Sequence, residues 1–219
     1  MAKKPDRANL RGADVEVLQI IALQSRDRAR VRRVLDARNP ISASILPHVI
    51  PLLGDRVVGG DAIQALQLVA DRHPGAMIDA LLNPATHPVV RRRLARVLSA
   101  CRSQTVVDGL LMALDDEVLE IRVQSARSLF RIHRRWPDIR IDSERVLDLV
   151  RSELARGESD LGHLFTLLAF VVSVGPLRAA YRGLRSRDSR AKGTALEYLH
   201  GILPKDIRAA LWAKLGDCS

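Results

Sequence analysis

The sequence predicts an all-α fold, a right-handed solenoid of about six stacked antiparallel helix pairs, and three observations carry that prediction. A cassette of a leucine-rich segment, a polar break and a second amphipathic segment recurs about every 31 residues. Its small-residue column holds Ala65, Ala95, Ala126 and Ala195, with successive intervals of 30, 31 and 69 residues. The longest interval leaves room for one further unit, whose second helix is expected at 161–174. Composition is the second observation: 47% of the 219 residues are hydrophobic but only 3% are aromatic, which favours helices packed through small and aliphatic side chains. The third is that strand-like alternation is nowhere sustained.

Taken in order, residues 1–12 are polar and basic, with Pro5 and Gly12, and predict a flexible tail ahead of a single repeat domain over 13–219. Asp14 is the expected cap of a first helix over 14–24, and a second over 26–38 stops at Asn39 and Pro40. Residues 44–53 and 61–72 predict the next pair. Two more follow, at 75–82 with 88–100 and at 103–114 with 117–134. After Trp136-Pro137 come 142–155 with 160–174, then 176–184 with 189–202, and a closing helix at 205–215. The apolar run 164–174 is about half the roughly 20 residues a membrane span needs, so it predicts a buried helix and no integral membrane segment.

The alanine register orders other columns. Leu68, Leu98, Leu129 and Tyr198 stand three residues after the alanines, and Asp61, Arg91, Arg122 and Ala191 four before. Projected at 100° per residue, 117–134 places Val123, Ala126, Leu129 and Phe130 on one face, with Ile121 and Ile132 at its margin. Glu120, Gln124, Arg127, Arg131 and Arg134 form the opposite stripe. Arg122 falls on the inner face, where an unpaired charge is costly, so it needs an acceptor; Asp115 and Asp116 in the preceding turn are the expected partners.

These residues, Leu114-Asp115-Asp116 followed by Val118, Ile121-Arg122 and Ala126, resemble the HEAT repeat in its short bacterial variety of about 30 residues. The resemblance covers most of 44–215. It implies a ladder between adjacent units, made by a turn aspartate and a basic residue of the second helix. Asp115 and Arg122 fit that ladder, and Arg91 fits with Asn83 in place of the acid. The unit at 44–72 departs from it, having Asp55 in the turn but Asp61 at the basic position, and the last unit has Ala191 there. The stretch 194–204 is similar to the ends of HEAT modules appended to larger bacterial proteins, some of them membrane transporters. That similarity implies a regulatory or docking module, with a membrane protein among its conceivable partners.

Charge selects a candidate surface. The chain carries a net +10, and the excess sits at 1–40 (10 basic against 5 acidic) and at 91–140 (11 against 6). Arg96 and Arg127 occupy equivalent columns, with Arg93, Arg131 and Arg134 close by, and together they form an expected anion-binding stripe on the concave face of the second helices. Only five of the 35 basic residues are lysine, a bias that genome composition also produces. The function predicted is a non-catalytic protein–protein interaction scaffold that docks a protein through an acidic segment. The alternative is nucleic-acid binding, since a family of alkylpurine DNA glycosylases is also built from HEAT-like repeats of similar length and charge. For that chemistry the sequence offers only His133-Arg134-Arg135-Trp136-Pro137-Asp138, with Trp212 far off, and base stacking needs aromatic platforms.

No catalytic, cofactor-binding or metal-ligating set is predicted. The six histidines lack metal-ligand spacing, and Gly59-Gly60-Asp61 lacks the lysine of a phosphate loop. Cys101 and Cys218 are too few for a disulfide framework, and no cleavable signal peptide is expected before residue 40, so the cytoplasm is the expected location.

Overall fold

The computed structural model describes residues 7–36 and 41–216, and every regular element among them is helical. They form two compact units, divided between Gly109 and Leu110. No helix among the described residues is long and apolar enough to cross a membrane.

In the N-terminal unit, α1 (Arg7–Gln24) and α2 (Arg28–Leu35) are followed by α3 (Leu46–Val49), which tightens into a 3-10 turn at Ile50–Gly54. Next come α4 (Gly59–Gln67), α5 (Pro74–Leu82), α6 (Pro88–Leu98) and the first part of α7 (Gln104–Met112). Each helix packs on near neighbours: α1 on α2 and α3, α2 on α4, and α4 on α6. Val31, Leu53, Leu66, Met77, Leu81, Leu94 and Leu98 are wholly buried between them. Burying an aliphatic side chain of this size contributes roughly 1.5–3 kcal/mol, and such side chains hold the short helices in place.

The C-terminal unit continues through a 3-10 turn at Ala113–Asp115 into α8 (Leu119–Arg135), α9 (Ser143–Arg156), α10 (Leu161–Leu168), α11 (Val174–Leu184), α12 (Ser189–Ile202) and α13 (Lys205–Gly216). Here α10 packs on α8, α9 and α11, and α11 packs closely on α12. A Cβ added at Gly183 of α11 would lie 2.8 Å from the Ala191 carbonyl oxygen and 2.9 Å from the Ala195 Cβ, so glycine permits the close approach. The closing helix α13 returns to α9. There Arg151 Nε donates to Asp206 Oδ2 at 2.6 Å and Lys214 Nζ donates to the Gly157 carbonyl at 2.8 Å.

The alanine column is buried throughout, at Ala65, Ala95, Ala126 and Ala195. Leu98 and Leu129 are buried beside it, but Leu68 is exposed because α4 ends at Gln67 and Leu68 turns outward as its C-cap. Several boundaries also move. The first helix begins at Arg7, so residues 7–12 of the expected tail are helical and Asp14 stands inside α1 rather than at its cap. Residues 1–6 lie outside the described residues, as do Asn39, Pro40 and Cys218. The run 164–174 is not one helix: after Leu168 the backbone tightens, with Phe170 N–H bonded to Leu167 O and Val171 N–H to Leu168 O. Val174 and Gly175 instead open α11, with Pro176 in its first turn, where a proline lacks nothing the helix needs.

Carboxylates mark the helix starts. The side chains of Asp27, Asp142, Asp160 and Asp188 accept backbone N–H bonds at the N-termini of α2, α9, α10 and α12, satisfying donors that the helix leaves open. The C-terminus of α9 turns at Gly157, whose φ of 73° favours glycine.

Candidate functional site

The helix α8 sorts its side chains sharply. Ile121, Arg122, Ser125, Ala126, Ser128, Leu129 and Ile132 are buried, while Arg127, Arg131, Arg134 and Arg135 are exposed. Positions 127, 131 and 134 follow a spacing of four and then three, which places them on one face. Along that face runs a groove of about 500 Å³ lined by Arg127, Phe130, Arg131, Arg134, Arg135 and Thr166. Like charges three and four positions apart destabilise a helix by a few tenths of a kcal/mol per pair. At the end of α8, His133, Arg134 and Arg135 occupy the last turn, where the helix dipole favours cations.

Several arginines elsewhere have acids beside them: Arg28 with Asp55 at 2.8 Å, Arg32 with Asp61 at 3.1 Å, Arg145 with Asp115, and Arg151 with both Asp148 and Asp206. Arg127 and Arg134 have no ion pair among the described residues. Arg135 lies over the Trp136 ring, 4.7 Å from its centroid. Arg127 and Arg134 therefore bring to this groove positive charge that no acid among the described residues neutralises.

The two expected stripe residues in the N-terminal unit part company. Arg96 is exposed on α6. Arg93, by contrast, is bound to backbone: its Nη1 donates to the Leu53 carbonyl, and at 3.1 Å to the Asp55 carbonyl. Gly59 leaves the space it fills, since a Cβ there would lie 2.2 Å from that nitrogen. Arg93 is thus a structural residue that closes the end of the 3-10 turn, and it leaves the candidate set.

The inward arginines are both buried, and the side-chain partners of Arg122 are not the expected turn carboxylates. Arg91 Nε donates to the Leu81 carbonyl at 2.6 Å, near the end of α5. Arg122 Nε donates to Glu153 Oε1 at 2.5 Å, its Nη2 reaches Glu158 Oε2 at 3.1 Å, and its Nη1 donates to the Asp116 and Glu117 carbonyls, both at 2.9 Å. Asp115 instead pairs with Arg145, and Asp116 Oδ1 accepts from Val118 N–H at the start of α8. The guanidinium fork takes main-chain oxygens of its own turn and the carboxylate of the following helix together, which a monodentate turn acid could not match.

Glu153 is as buried as Arg122. Burial alone would raise its carboxyl, but His163, Ser159 and Arg122 act against that and hold it at about 2. Ser159 Oγ donates to Glu153 Oε2, and His163 Nε2 stands 3.6 Å from Oε1. Sequence reading missed Glu153, although it follows Arg122 by one repeat interval of 31 residues. It also missed Thr166, which joins the groove only because α10 packs on α8.

Cys101 is buried, and burial together with the neighbouring Asp71 pushes its thiol up to about 12. Trp136 ends α8 with its N–H bonded to the Ile132 carbonyl at 2.8 Å.

Fold and groove together define an all-helical protein with an arginine-lined surface cleft. A scan against models of known protein families finds no match, and a search of curated proteins finds no similar sequence.

Proposed function

We propose that the chain is a HEAT-like repeat protein, a right-handed stack of antiparallel helix pairs, acting in the cytoplasm as a non-catalytic docking module for an acidic segment of a partner protein. The repeat reading is supported by the buried alanine column and by the paired inward positions of Arg91 and Arg122, 31 residues apart. Contacts of α2 with α4 and α4 with α6 suit stacked second helices. A buried free thiol at Cys101 suits a reducing compartment.

The observation that carries the docking role is that Arg127 and Arg134 face a groove with no acid in its lining and have no ion pair among the described residues. An external carboxylate there gains charge-assisted hydrogen bonds without displacing an internal partner. The test is an anisotropy titration of labelled polyglutamate with the full chain at about 50 mM salt, where surface charges are weakly screened. Arg127→Glu with Arg134→Glu should weaken binding at least about tenfold, while circular dichroism stays unchanged. Equal affinity in the double variant would sink the proposal, and a preference for duplex DNA over polyglutamate would assign the groove to nucleic acid instead.

A further inference from the structure

The arginine groove does not end at Thr166. Phe130 and Thr166 also line a second cavity of about 210 Å³, walled by Phe165, Ala169, Leu177 and Tyr181. The Phe165 and Tyr181 rings stand 5.1 Å apart at a tilt of 53°. Basic groups stand at this cavity too: Arg178 lines it, and Arg185 donates to the Tyr181 hydroxyl at 3.1 Å.

Resting on the docking role proposed above, we infer that the partner segment is an acidic peptide carrying one large apolar side chain, which inserts between Phe130, Phe165 and Tyr181 while flanking carboxylates meet the arginines of α8. Size favours a single side chain: a dry cavity of about 150 Å³ is enough for benzene, whereas pockets for drug-sized molecules and cofactors run from about 300 Å³ upward. The walls favour an apolar occupant, since Phe130, Phe165, Ala169, Val174 and Leu177 make up most of them. Thr166 Oγ1 already donates to the Gly162 carbonyl at 2.7 Å. A nucleobase pushed in would bury much of its polar edge against those side chains, a cost that a phenyl or leucyl group does not incur. Charge complementarity then selects acidic flanks, because the adjoining groove is lined by the arginines of α8.

Two fluorescein-labelled peptides test this: a glutamate heptamer with glycine at its centre, and the same peptide with phenylalanine there, each titrated against the full chain by anisotropy. The phenylalanine peptide should bind at least about tenfold tighter, the gain expected from burying one aromatic side chain. Ala169→Phe, which fills the cavity from a wall position outside the arginine groove, should erase that difference and leave glycine-peptide binding intact. Should the plugged variant misfold, as seen by circular dichroism, the comparison of the two peptides on the unaltered chain still decides. Equal binding of the two peptides overturns the anchor and leaves acidic docking standing. No binding of either overturns both. Tighter binding of a single-stranded oligonucleotide than of the phenylalanine peptide overturns the peptide in favour of nucleic acid.

Discussion

Arg122 and Glu153, 31 residues apart and both closed off from solvent, meet through a hydrogen bond of 2.5 Å from Nε to Oε1. A buried pair of this kind is weak evidence for net stability, since desolvation offsets much of the attraction, but breaking it from one side strands the other charge. Glu153→Gln should therefore destabilise by about 3–5 kcal/mol in urea unfolding. Replacing both, Arg122→Met with Glu153→Leu, should be less damaging than the two single losses added. A strictly additive result would show that the pair is not coupled.

Acid should act through the same carboxyl. Its folded value of about 2 lies below the ordinary 4.5, so its stabilisation is full above pH 4.5 and disappears as pH falls from there through 2. A difference of that size corresponds to roughly 3 kcal/mol. Urea midpoints collected across this window should fall more steeply for the unaltered chain than for Glu153→Gln, and parallel curves would refute the assignment.

Removing charge from the groove should not harm the fold. Arg127→Glu with Arg134→Glu relieves like-charge repulsion along α8 and should leave the thermal midpoint unchanged or slightly raised. Arg93→Glu, on the neighbouring candidate position, should lower it, because its bonds to the Leu53 and Asp55 carbonyls are lost. The opposite ordering of these midpoints would reverse the roles given to them.

Two helical glycines should respond in opposite directions to alanine. Gly193 of α12 has open space around its Cα, so Gly193→Ala should stabilise by about 0.5–1 kcal/mol through helix propensity. Gly183→Ala must push against the Ala191 backbone and Ala195, so it should destabilise despite the same propensity gain. Chemical denaturation of the two variants measures both signs.

Cys101 should be inert. With Cys218→Ser as background, the native protein should show almost no reaction with a disulfide reagent at neutral pH and one equivalent after denaturation, because the thiolate is the reactive form and burial beside Asp71 suppresses it. Rapid labelling in the native state would contradict this.

Much of this was legible because repeats constrain their columns. The alanines at 65, 95, 126 and 195 are inside because the helix period allows them nowhere else, and Arg122 was placed inward by the same projection. Its partner was not, because proximity in sequence favours Asp115 and Asp116, whereas the guanidinium is aimed across to α9. Arg93 was misread for a related reason: exposed and carbonyl-bound arginines have the same period, and only the turn at 50–54 tells them apart. The groove itself was half legible. Its arginines lie on one helix, but Thr166 comes from another, and one sequence does not say which faces meet.

The return of α13 to α9 has a consequence for the order in which the C-terminal unit is completed. The contacts Arg151–Asp206 and Lys214–Gly157 join positions 55 and 57 residues apart, far longer than the closures within a helix pair. Such contacts form late in folding, after the local helix pairs. Without α13 the face of α9 that it packs on is left uncovered, so a variant lacking α13 should be prone to aggregation rather than form a shorter, self-sufficient array.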